Sequence, residues 1–153
     1  MLYKALKPLW IHGFLIVPDG RVLIERLCFD SAQPAPWCAS AGRLSYKPQD
    51  SRKMLDNIVY RRYGIVLNDD VADVERLLTH SSPIAQVLNV RKMWVEMEIY
   101  RIRLLDTVTI STQRNSDFLA LSFEELVDDV AHSRYEEASI EAINIADAMQ
   151  ISF

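Results

Sequence analysis

The chain has 153 residues, 50% hydrophobic and 25% charged, a length that supports one packed domain spanning residues 1–153 and is too short for two ordinary ones. Four glycines and six prolines argue against a collagenous or low-complexity chain, and a net charge of −4 without a Lys/Arg block argues against nucleic acid as a partner. No apolar run approaches the roughly 20 residues that cross a bilayer, and Met1 to Trp10 lack the apolar core of a secretory signal, so a cytoplasmic, non-membrane protein is expected.

In chain order, Ile11 to Val17 and Val22 to Cys28 are β-rich runs separated by Pro18-Asp19-Gly20-Arg21, the signal of a hairpin. Phe29 to Pro36 reads as a loop, and Trp37 to Leu44 as a short segment ending in a turn. Met54, Leu55, Ile58 and Val59 recur at helical spacing between a capping Asp50-Ser51 and a terminating Gly64, which predicts a helix over 50–63. Val71 to His80 and Lys92 to Leu104 read as strands joined by a flexible loop over Ser81 to Asn89. Phe118 to Leu121 is a further strand, Ser122 with Glu125 forms a capping box, and Tyr135 to Met149 is an amphipathic helix. The order ββ, short β, α, β, β, β, α, α predicts a mixed sheet with helices packed on it.

Several side chains are candidates for chemistry. Trp94, Glu96, Glu98 and Tyr100 alternate onto one face of a long strand, where two carboxylates suit metal ligation or base catalysis and an aromatic suits stacking on a base. A solvent-facing polar side of a sheet explains the same alternation. His12 beside Gly13 reads as a packed histidine, and Asp19 as a turn residue. Cys28 and Cys38 read as free thiols, with Cys38 a small buried residue.

From Pro8 to Ala138 this order resembles the Nudix superfamily. The opening hairpin, Trp37 followed by Ala41-Gly42-Arg43, and a helix closing in Tyr63-Gly64-Ile65 carry the likeness. Pro8-Leu9, Phe14 to Val17, Val22 to Arg26, Pro36-Trp37, Gly42 to Leu44, Phe118 and His132 to Arg134 are similar to its GDP-mannose mannosyl hydrolase branch. The resemblance implies a Nudix-like α/β/α sandwich with a mixed β-sheet, acting on a nucleotide sugar or another nucleotide diphosphate ligand. The N-terminal segment Met1 to Leu9 could swap across or pad a homodimer interface. The resemblance also implies Mg²⁺ held by helix glutamates, because a hard cation beside a diphosphate takes oxygen ligands.

Counting back from Gly64, the positions of those glutamates hold Arg62, Arg61 and Ile58, and the arginine that usually precedes them is Asn57. The stretch expected to supply a histidine base, Thr112 to Asp117, contains none. Arg26 and Arg43 fall where the resemblance places arginines that neutralise the diphosphate, and Arg61 and Arg62 add positive charge where the metal would sit. Two functions follow. One is a nucleotide-sugar hydrolase whose metal site is lost or rebuilt from Glu96, Glu98 and Asp56. The other is a non-catalytic module that binds a nucleotide diphosphate or a protein. Isopentenyl diphosphate isomerase, a relative with a Glu-x-Glu strand, would require several histidines near Glu96 and Glu98, and His12 is the only candidate.

Overall fold

The computed structural model describes residues 8–27, 35–45, 50–86, 89–105 and 116–153, with the backbone alone over 82–93. Cys28 and the stretch 106–115, most of the region expected to hold a base, lie outside the described residues. The strands are β1 (Leu9–Ile16), β2 (Val22–Leu27), β3 (Ala41–Ser45), β4 (Ala72–Gln86), β5 (Asn89–Leu104) and β6 (Ser116–Leu121). The helices are α1 (Ser51–Tyr63), α2 (Phe123–Asp129) and α3 (Glu137–Ala148). The sheet runs β4-β5-β1-β2-β6, with β3 also on β1; among these strands β1 and β5 are parallel and the other pairs described are antiparallel.

Both faces of this sheet are covered, which makes the α/β/α sandwich. Ile11, Leu15, Leu23, Tyr100 and Ile102 pack under Met54, Leu55, Ile58, Val59 and Tyr63 of α1. Phe14, Ile16, Val22, Ile24, Met97 and Ile99 pack against Leu126 of α2 and Ala138, Ala142, Ile143 and Ala146 of α3. Central strands buried on both faces read as continuous apolar runs, hence Phe14 to Val17.

The helix over 50–63 forms as its punctuation predicts. Asp50 accepts from the Arg52 and Lys53 amides, and Gly64 closes the helix in the left-handed region at φ 70°, its N–H donating to Tyr60 O. Gly64→Ala is therefore expected to lower stability by about 1 kcal/mol, the cost of a side chain in that conformation, read as a shifted urea midpoint with unchanged slope. The capping box of α2 is complete, with Glu125 N donating to Ser122 Oγ and Ser122 N donating to Glu125 Oε1, each at 3.1 Å.

One expectation is corrected. The loop expected over Ser81 to Asn89 is strand wherever it is described: β4 continues to Gln86 and pairs with β5, which begins at Asn89, Pro83 lying opposite Trp94. An edge strand tolerates a proline that a central one would not, and β4 ends the sheet. The short strand expected after Trp37 forms as β3, pairing from Ala41↔Gly13 to Ser45↔Leu9, and residues 46–49, where it would turn, lie outside the described residues.

That pairing matters for the site. β1 and β2 are in register near their turn, at Ile16↔Val22, and then splay apart. The chain from Trp37 to Ser45 fills the wedge: Cys38 bridges to Glu25 of β2, β3 pairs with β1, and the buried Ser40 hydroxyl joins both, accepting from Leu15 N at 2.9 Å and donating to Leu23 O at 2.7 Å.

Candidate functional site

At this wedge the end of β2, the start of β3, the last turns of α1 and the residue before α3 enclose a pocket of about 360 Å³. Its walls are Leu27, Gly42, Arg43, Ile58, Arg61, Arg62 and Glu136. Positions 58, 61 and 62 lie three and four residues apart on α1 and so share one helix face. The volume is that of a small-ligand cleft.

Arg62 is the best-anchored cation of the three. Its Nε donates to Glu25 Oε1 at 2.9 Å, and Glu25 is only 1% exposed while the Arg62 side chain keeps 17%. Burial works against the Arg62 charge, but facing Tyr63, Cys38 and Glu25 outweigh it and hold the guanidinium above its ordinary value. Beneath the pair, burial raises the Tyr63 phenol and pushes the Cys38 thiol up to about 12, with the negative charge of Glu136 adding to the latter. Cys38 is thus a protonated, inert thiol at neutral pH. Glu25 Oε2 and the Tyr63 hydroxyl have no hydrogen-bond partner among the described residues.

Of the residues singled out from the sequence, Arg43, Arg61 and Arg62 come together in the pocket, and the others are elsewhere. Arg26 is one residue off the α1-facing set of β2; it pairs with Asp117 at 2.9 Å and stacks over Trp37, 4.5 Å from the ring centroid. Asp56 bonds Arg52 one turn away at 3.0 Å, on the outer side of α1. Glu98 is buried, not solvent-facing, and bonds Arg76 at 3.4 Å, while Glu96 is exposed. Ile11 of β1 separates Glu98 from Arg43 in register, so two inter-strand spacings, roughly 10 Å, lie between their strands. Trp94 is 61% exposed near the far end of β5. His12 is fully packed: its Nε2 meets Ala39 O and its Nδ1 accepts from Trp10 Nε1 at 3.3 Å.

Sequence reasoning passed over Glu25 and Glu136. Glu25 carried a signal, an acid in the apolar run Val22-Leu23-Ile24 whose alternation sets it beside Leu23 on the face covered by α1. Glu136 carried none, because it reaches the pocket through a tertiary bridge: its N–H donates to Trp37 O at 2.9 Å, beside the Trp37–Tyr135 pairing.

The donor set does not fit Mg²⁺. Pocket walls made of leucine, glycine and isoleucine, three guanidinium groups and a single carboxylate offer a hard cation one side-chain ligand. Among the described residues no group of three or more His, Cys, Asp or Glu side chains converges. The arrangement suits an anion instead.

No protein-family model matches the chain, and no curated protein sequence matches it. Solved structures do. The crystal structure of DR0079 from Deinococcus radiodurans matches with a TM-score of 0.67 over 93% of this chain and 86% of that one, at 16% identity. Dihydroneopterin triphosphate pyrophosphohydrolase of E. coli matches with a TM-score of 0.64 over 88% and 91%, at 14% identity. The NUDIX domain of NrtR from Shewanella oneidensis, solved with ADP ribose, matches with a TM-score of 0.60 over 97% and 90%, at 12% identity. The chain therefore has the Nudix fold, and at such identities the likeness is one of fold. No helix among the described residues is long and apolar enough to cross a membrane.

Proposed function

We propose that this chain is a Nudix-fold binding module for a ligand carrying a diphosphate, held by protein cations in place of a divalent metal. The observation that supports it is the meeting of Arg43, Arg61 and Arg62 in one pocket around Ile58. A guanidinium fork matches phosphate oxygens and stays charged at any physiological pH. Arg43 and Arg61, with Arg62 shared with Glu25, set positive charge against a diphosphate, but none activates water as a metal does, so binding is favoured over hydrolysis. The sequence pattern makes GDP-mannose the first nucleotide sugar to test. ADP ribose is the second, on the likeness to the NrtR domain.

Calorimetry of the purified protein with GDP-mannose and ADP ribose is expected to give binding that EDTA does not weaken. Arg43→Ala is expected to weaken it by about 1–3 kcal/mol, the loss of a charge-assisted contact. Incubation with Mg²⁺ or Mn²⁺ is expected to release no mannose or GDP. Metal-dependent turnover would overturn the binding reading and restore the mannosyl hydrolase one.

A further inference from the structure

Glu136 shares the pocket with the three arginines, and it is the one acid there among the described residues. Its backbone is fixed at both ends: the N–H donates to Trp37 O at 2.9 Å and the carbonyl accepts from Ile140 N at 3.0 Å. It occupies the N-cap position of α3, where a side chain ordinarily accepts from the helix amides, yet its carboxylate makes no such bond. Glu136 instead lines the pocket, and its negative charge, opposed by that of Arg62, reaches the Cys38 thiol. The pocket thus sets three cations beside one anionic spot.

We propose that Glu136 determines specificity, selecting diphosphate diesters whose distal group bears hydroxyls, such as nucleotide sugars, and rejecting nucleoside triphosphates. This rests on reading the pocket as a diphosphate site. An ionised carboxylate only accepts hydrogen bonds, so its partner on the ligand must be a donor, and a sugar hydroxyl is one. A terminal phosphate offers acceptors and further negative charge, and like charges set side by side discriminate strongly against the wrong ligand. Isoleucine at position 58 offers a terminal phosphate no compensating cation.

The test is calorimetry of the whole chain with matched pairs that share a base: GDP-mannose and GTP, ADP ribose and ATP, UDP-glucose and UTP. The unmodified protein is expected to prefer the diester of whichever pair it binds by about tenfold or more. Glu136→Gln, which keeps shape and removes charge, is expected to bring that ratio to within about threefold, chiefly by tightening the triphosphate. Glu136→Lys is expected to invert it. A ratio unchanged in both variants overturns the role of Glu136 and leaves the diphosphate site standing. Absence of binding to every probe, inorganic pyrophosphate included, overturns the site itself and the inference with it.

Discussion

Arg62→Ala is expected to lower stability by about 3 kcal/mol at neutral pH, because it strands the Glu25 carboxylate, 1% exposed, with neither oxygen hydrogen-bonded among the described residues. Removing one member of a buried pair leaves the other's desolvation uncompensated, which is worse than the pair was good. Glu25→Ala is expected to cost less, since Arg62 keeps 17% of its side chain in contact with solvent and turns outward. The double variant Glu25→Leu, Arg62→Met is expected to recover to within about 1 kcal/mol of the parent, both charges having gone together. Urea unfolding of the four proteins reads these values. Single variants as stable as the parent would count against a buried pair at this position.

The same set of variants separates scaffold from site. The double variant folds but presents two cations to the pocket in place of three, so its affinity for pyrophosphate is expected to fall while its urea midpoint does not. Should affinity persist, Arg62 is a structural residue that touches the pocket wall, and ligand binding rests on Arg43 and Arg61.

Local physics made α1 readable. The spacing of Met54, Leu55, Ile58 and Val59 needed one face to be buried, and Asp50 and Gly64 settle its ends through bonds to residues within one turn. Counting back from Gly64 was enough to set Ile58, Arg61 and Arg62 on a common face, hence in a common pocket. Alternation told less than it was asked to tell. It put Glu96 and Glu98 on one side of β5, but whether that side is open depends on α1 and on Arg76 of β4, and for Glu98 it is closed. Ser81-Ser82-Pro83 carries the marks of a loop, and its strand conformation comes from cross-strand pairing with β5. Glu136 lay furthest from view, since its position depends on the splay of β1 from β2 and on the chain segment that fills it. Non-local pairing of this kind leaves no periodic trace in the sequence.

Acidification is expected to weaken the fold well above the range in which carboxylates titrate, through His12. The ring is 1% exposed, edge-on to Phe14 with centroids 4.9 Å apart. Since Nδ1 accepts from Trp10 Nε1, the single ring proton sits on Nε2 and is donated to Ala39 O. A second proton would set two donors against each other. Burial chiefly, with the positive charge of Arg62 adding and the Ala39 carbonyl opposing, lowers the pKa from 6.5 to about 4. Between those values the unfolded chain binds a proton that the folded one refuses, so stability rises with pH across the window. The contribution is complete above 6.5 and is lost as pH falls toward 4. The limiting slope is about 1.4 kcal/mol per pH unit, so a drop from about pH 7.5 to about pH 5.5 is expected to remove about 1.4 kcal/mol. His12→Gln retains a donor for Ala39 and cannot take up the proton, so its urea midpoints over that range are expected to be nearly flat. Parallel slopes for the two proteins would mean that another group takes up the proton on unfolding.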